Sequence, residues 1–342
     1  MSEKVSLLLG GKRFQFWEDV KIDLSLDSID TFSFTTPFLA DDKVFREQFR
    51  PFTYSSLEIR IDDGPLLTGF ILSKSSAVGN KTLSLGGYSR PGLLNDLPVP
   101  RDKYPIEFKE QTLSKIAATL GGYYDIDVNF DVSPGAKFSP QVGLEPPQKV
   151  LEFLIRLAQK RSLLVGNTLE GKLNFFVPGK SRNNTPLVQG QPPLLSATAS
   201  YNEQEMFSSV TGLGKSDAGR DPESFTFPIP ILKGIDRPFI YTVSDALGAE
   251  LQSAVKFKAG RLFAGAISIT VNVSDWRGAN GKIWTPGDFI TLQAPDIFFY
   301  NETRLMIKNV SLSQQADNDS ASMNLIFPGV YSGELPEKMP WD

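Results

Sequence analysis

The sequence predicts a mainly β, multidomain protein in which two similar β-barrels accompany one small α/β domain. Three observations carry that expectation. A strand–turn–strand–turn–strand pattern occurs twice, from Leu57 to Gly92 and from Asp288 to Gly329, and each copy ends in Pro-Gly. Alternation of apolar and polar residues, which gives a strand one buried face, marks both ends of the chain. Helical spacing of apolar residues is concentrated instead between residues 101 and 180.

The elements follow in order. Val5–Phe16 predicts a hairpin turning at Gly10-Gly11. Val20, Ile22, Leu24 and Leu26 alternate with Lys21, Asp23, Ser25 and Asp27, and Phe32 and Phe34 continue the theme. With the three strands of the first copy this makes roughly six to seven short strands before Gly92, the density of a small barrel or sandwich. A Pro-rich connector, LPVPRDKYP, then changes the texture. Leu113, Ile116, Ala117 and Leu120 share one helical face that Gly121-Gly122 stops, and YYDIDVNF follows as a strand. A second helix opens at Pro146-Pro147, carries Val150, Leu151, Leu154, Leu157 and Ala158 on one side, and closes on Lys160-Arg161. The segment SLLVGNTLEGKLNFFVP predicts a hairpin.

Between residues 179 and 260 the signals weaken to strands near Leu195–Tyr201 and Phe207–Leu213, polar loops, and one helix in SDALGAELQSAVKFKAGRLFAG. Ile267, Ile269, Val271 and Val273 then give the clearest strand of the chain. The closing YSGELPEKMPWD, with Trp341, is Pro-rich and charged, and is expected to order against a partner. The predicted boundaries are 1–97 for the first barrel, 98–180 for the α/β domain, 181–260 for a mixed connecting region, 261–330 for the second barrel and 331–342 for the tail.

Composition narrows the chemistry. Among 342 residues there is no Cys, hence no disulfide, thiolate nucleophile or Cys-ligated metal. There is also no His, which removes the Ser-His-Asp triad and imidazole general bases. A glycosidase working with two carboxylates is the main catalytic possibility left, and the expectation is a protein that is not an enzyme and needs no cofactor. No apolar run reaches the roughly 20 residues of a membrane span, and no basic-plus-apolar leader is evident, so a soluble, cytoplasm-made chain is expected. The net charge of −4 supplies no basic field for nucleic acid.

Several motifs lose to simpler readings. Gly166–Lys172 has phosphate-loop spacing, but Leu173 stands where a Ser or Thr belongs and the segment lies between two strands, which predicts a β-turn. Asp62-Asp63-Gly64 and Asp317-Asn318-Asp319 fall at hairpin turns that favour Asp and Asn. Asp125 and Asp127 share a face of the predicted strand without a partner carboxylate. The most specific stretch is Ser274–Pro295, where Trp276 and Trp284 bracket a Gly-rich hairpin and Pro286-Gly287 turns the chain into a strand. It reads both as a Trp-anchored hairpin closing a barrel and as a docking face for a neighbouring subunit.

That stretch resembles the baseplate hub proteins of Mu-like contractile-tailed phages, with the phage tail protein and late-control groups. The positions that carry the likeness are Trp276, Gly278, Gly281, Trp284, Pro286 and Gly287. The opening GGKRFQFWEDVKIDLSLDSIDTFSFTTP, the GYSRPG of Gly87–Gly92 with its Arg90, the Leu120-Gly121-Gly122 helix end and the segment around PPQKVLEFLIRLAQKRSLLVGN agree with it.

The resemblance implies a homotrimer at the centre of a baseplate, each chain giving two like barrels to a ring. Its partners would be the central spike protein, the tail tube and other baseplate proteins, and DNA would pass through the bore without specific binding. The assembly residues implied are Trp276, Trp284, Pro286, Gly287, Arg90 and Trp341; the place implied is the virion tail, assembled in the bacterial host cytoplasm, with no membrane insertion. Three other readings stay open at this point: a tail-borne, carboxylate-dependent cell-wall hydrolase; a sugar-binding β-module stacking glycans on Trp17, Trp276 and Trp284; and the hub part of a tailocin or type VI-like injection device.

Overall fold

Alternating burial decides where the strands lie. The computed structural model describes residues 5–342 apart from 63, 180–184, 215–220, 244–247, 316–317 and 337. The first strands are β1 (Val5–Leu9), β2 (Lys12–Phe14), β3 (Asp19–Ser25) and β4 (Thr31–Pro37). After helix α1 (Lys43–Gln48) come β5 (Ser55–Ile61), β6 (Gly64–Ser75) and β7 (Thr82–Ser89). In β3 the apolar set Val20, Ile22 and Leu24 is buried while the intervening residues reach solvent, as period 2 requires.

Helix α2 (Leu93–Asp96) leads into the α/β unit, with β8 (Ile106–Gln111), α3 (Leu113–Gly122), β9 (Val128–Phe130), β10 (Phe138–Leu144), α4 (Val150–Gln159), β11 (Leu164–Asn167) and β12 (Leu173–Phe176). The residues expected on the helix faces, Leu113, Ile116, Leu120, Val150, Leu154 and Leu157, meet Phe108, Phe153 and Phe175 in a core of their own. Within Gly166–Lys172, Gly166 and Asn167 end β11 and Thr168–Lys172 makes the turn of the β11–β12 hairpin, where Thr168 N–H donates to the Lys172 carbonyl. The strand expected over YYDIDVNF starts only at Val128. Tyr124 and Ile126 N–H groups both cap the Gly121 carbonyl at the end of α3, and Asp125 is left-handed, so Asp125 sits in a turn, Asp127 leads into β9, and the two share no strand face.

The rest comprises β13 (Pro186–Val188), β14 (Leu194–Tyr201), β15 (Ser209–Leu213), β16 (Ser224–Pro228), β17 (Pro238–Thr242), α5 (Gly248–Ala266), β18 (Ile267–Val273), β19 (Phe289–Ala294), β20 (Phe299–Gln315) and β21 (Asn318–Ile326). β15 runs between β16 and β17, and this small sheet packs on α5.

The two ends of the chain share one strand order. From β3 the first half runs β3-β4-β7-β6-β5-β1; from β14 the second runs β14-β18-β21-β20-β19-β13. Irregularities coincide as well. β6 slips against β7 between Ile71 and Ser73, and β20 slips against β21 between Ile307 and Asn309, leaving Leu72 and Lys308 as the extra residues. A second slip follows Ile59 in β5 and Leu292 in β19. The halves differ at one edge, where β1 and β2 form a hairpin and the second half has β13 alone, parallel to β19.

The two β-rich halves meet edge to edge. β3 and β20 pair antiparallel from Asn309↔Ser25 to Gln315↔Asp19, which fuses both halves into a 13-stranded sheet. An unpaired β3 would leave a row of peptide groups without partners, and β20 satisfies them. Among the described residues no ladder closes either half into a ring. The first half is nonetheless curled. β2 and β3, at opposite ends of a seven-strand path, are joined by residues 15–18, a reach of at most about 18 Å. A flat path of that width would separate them by about 29 Å.

The tail also differs from expectation. Tyr331 and Met339 are buried, the Pro340 carbonyl accepts from Tyr300 N–H, and Trp341 stands edge-on to Tyr201 at 5.2 Å. Its apolar residues already have a surface within the chain.

Candidate assembly surfaces

The Trp-bracketed hairpin is built from the inside out. Trp276 is 1% exposed and donates its indole N–H to the Ser313 carbonyl at 3.0 Å. Trp284 is 0% exposed and donates to the Asp275 carbonyl at 2.8 Å. Between them Gly281, at φ 74, closes the turn on Gly278. Both rings therefore anchor the second half from within, and neither offers a face to a glycan or a neighbour. The stacking-platform reading fails for them on burial.

Pro286 and Gly287 lie at the seam between the halves. Gly287 N–H donates to the Ile307 carbonyl at 2.8 Å, and a side chain at Gly287 would first meet Leu26 of the first half. The hairpin reaches across the same seam, since the Arg277 guanidinium donates to Gly281 O and to Asp62 Oδ2, each at 3.0 Å. Deeper in, Asp27 accepts from the Tyr331 hydroxyl at 3.0 Å and has Arg261 at 3.5 Å and Lys308 at 3.8 Å. Burial, then the nearby Asp27 carboxylate, pushes the Tyr331 phenol well above its usual range.

Arg90 sits at a different junction. Its guanidinium lies 5.9 Å from the Phe70 ring centre and donates to the Asp125 carbonyl at 3.1 Å, and its stem packs against Gly171. It thus clamps β6 to the α/β unit. Asp30, which no sequence pattern marked, supports that junction. Its carboxylate accepts from Ser25 N–H and from Asn167 Nδ2, both at 2.8 Å, and its own N–H donates back to Asn167 Oδ1. Burial raises its pKa to about 7, against the lowering effect of those hydrogen bonds.

Trp341 lines a groove of about 740 Å³ with Tyr201, Met206, Ile231, Leu232 and Phe298. Phe298 is half exposed with φ 67, a conformation that costs a bulky residue free energy. The only sequence hint of it is the Pro-Asp turn signal that precedes it. The predicted assembly residues thus separate into three places: the hairpin and seam, the Arg90 junction, and the Trp341 groove. Among the described residues no group of three or more Asp, Glu, His or Cys is placed to hold a metal ion, and no helix is long and apolar enough to cross a membrane.

Against this geometry the comparisons are specific. Residues 101–176, the α/β unit, match the family model described as baseplate hub protein gp44-like, second domain. The chain resembles a Mu-type baseplate hub. It is 23% identical over 327 residues to baseplate hub protein gp44 of Escherichia phage Mu, which covers 91% of this chain and 84% of that protein. Two solved structures share the fold. The 43 kDa tail protein of prophage MuSo2 from Shewanella oneidensis superposes with a TM-score of 0.82 at 19% identity, covering 96% of this chain and 99% of that one. The tail protein from Neisseria meningitidis MC58 gives 0.78 at 20%, covering 97% and 98%. The resemblance to baseplate hubs read from the Trp-bracketed stretch is borne out along nearly the whole chain.

Proposed function

We propose that this chain is a structural, non-catalytic hub of a contractile-tail baseplate. It assembles as a homotrimer, meets a six-fold tail tube on one side and a trimeric central spike on the other, and leaves a bore through which DNA passes unbound. The observation that carries this reading is the internal repeat, with the same strand order and the same register slips in both halves. Three copies of such a chain set six like folds around one axis, while the chain as a whole repeats only three times. The likeness to phage Mu gp44 supports the same reading.

The chain's slight acidity suits a bore that must not hold phosphates, so lumen-facing residues are expected to be net acidic. The site of action is the virion tail, assembled in the bacterial cytoplasm. Light scattering of the purified chain, alone and with its spike, followed by imaging, tests the proposal. A mass of three chains with a central opening supports it. A monomer that persists with the spike present overturns it, and a ring of Lys and Arg around the opening overturns the free passage of DNA.

A further inference from the structure

The repeat contains an unequal pair of edges. β3 has β4 on one side and β20 on the other. Its counterpart β14 has β18 on one side and stands at the end of the 13-stranded path. β20 continues past its slip to Gln315, carrying β21 on one side and β3 on the other. Its counterpart β6 pairs with β5 only as far as Ile71, so from Ser73 to Ser75 it carries β7 alone. Among the described residues the first half therefore has a strand edge without a β3-like partner, and the second half has a strand like β3 that ends the sheet.

Burial shows the same deficit. Val20, Ile22 and Leu24 of β3 are buried, whereas their counterparts Ala197, Ala199 and Tyr201 are only partly so, and Leu195 beside them is 66% exposed. The segment after Ser75, which corresponds to the last part of β20 held by β3, leaves the sheet at once, and Val78 in it is fully exposed.

We infer that β14 of one copy pairs antiparallel with the end of β6 of the next copy, repeating between chains the β3–β20 join made within each chain. The slips at Leu72 and Lys308 align β6 with β20, and the ladders through β4 and β18 align β3 with β14. Carried over, the pairing Asp23↔Ser311 becomes Ser200 opposite Ser75. The contact is head-to-tail, so it propagates in one direction and closes only as a ring. Opposed antiparallel residues lie about 4.5–5.5 Å apart at Cα, within disulfide reach. The inference rests on the trimeric hub reading and specifies which edges make the trimer.

The absence of Cys gives the test a clean background. Ser75→Cys and Ser200→Cys are made singly and together in the full chain, oxidised, and sized under denaturing conditions with and without reductant, while light scattering reports the native mass. The expected result is a reducible species of three chains from the double variant, no cross-link from either single variant alone, and two-chain species when the single variants are mixed. Arg13→Cys replacing Ser200→Cys moves the second thiol to the opposite edge strand β2 and is expected to give no cross-link. A native trimer in which neither the double variant nor the mixture cross-links overturns the strand pairing and leaves the hub reading intact. A native monomer in every sample overturns both. The mixture uses only single Ser→Cys changes on exposed strand positions, so it remains decisive if the double variant folds poorly.

Discussion

A Cβ added to Gly260 would lie 1.4 Å from the carbonyl oxygen of Val330. Helix α5 therefore meets the chain after β21 backbone to backbone, at a point where only hydrogen fits. Alanine ordinarily favours a helix over glycine by about 1 kcal/mol. Here the displacement of Val330 outweighs that gain, and Gly260→Ala is expected to destabilise the fold by about 2 kcal/mol or more in urea titration. Gly265 on the same helix has open space at its Cβ, so Gly265→Ala is expected to stabilise by about 0.5–1 kcal/mol. Equal effects at the two positions would contradict the close approach.

Asp30 predicts a pH dependence with a definite sign. Its folded pKa is about 7 against an ordinary 3.8, so between those values the folded chain holds a proton that the unfolded chain has released. Its contribution to stability is then fully present below about 4 and falls as pH rises toward 7, by at most about 1.4 kcal/mol per unit. Asp30→Asn keeps an acceptor for Ser25 N–H and loses the proton. The difference in unfolding free energy between wild type and variant, measured from pH 4 to 8, is expected to slope through that window and flatten above it. A difference constant with pH would contradict the buried carboxyl.

Trp284 is expected to matter for folding. Trp284→Ala removes a fully buried indole and is expected to cost about 3–5 kcal/mol. Trp284→Phe retains most of the packing but leaves the Asp275 carbonyl without its donor, a cost of about 1–3 kcal/mol. Denaturant midpoints give both values, and an unchanged midpoint for Trp284→Ala would remove its anchoring role.

Arg277→Ala is expected to cost less than about 1 kcal/mol, although the ion pair spans the seam, because the Asp62 carboxylate is 63% exposed. The β3–β20 ladder and the apolar core shared by both halves hold them together, and this pair adds little. A loss above about 2 kcal/mol in the same titration would reverse that ranking.

The parts of the fold legible in the sequence were those written in local periodicity. Val20–Leu26 and Ile267–Val273 declare their strands by alternation, and Val150–Ala158 declares its helix by spacing. The repeat was visible because its turns carry Pro, Gly and Asn. Adjacency of distant strands leaves no local mark, so the fusion through β3 and β20 was invisible. The β8–β10 pairing leaves little local mark because IEFKEQ buries only Ile106 and Phe108, and β16 and β17 lie among prolines and polar loops. Trp276 and Trp284 stand out in the sequence as a bracketing pair, but nothing local in the sequence signals that both rings face inward. Asp30 depends on Asn167, far along the chain, and no pattern near either residue signals the contact.

The β3–β20 ladder within the seam is made by amide and carbonyl groups, and every residue type except proline supplies both. The outward-facing side chains of that ladder need not be kept for the two lobes to stay joined, whereas Val20, Ile22, Leu24, Val310 and Leu312 are buried in the core that both lobes share. Substitution can thus redraw what each lobe shows to its surroundings, in charge, size or greasiness, while the geometry of presentation stays fixed.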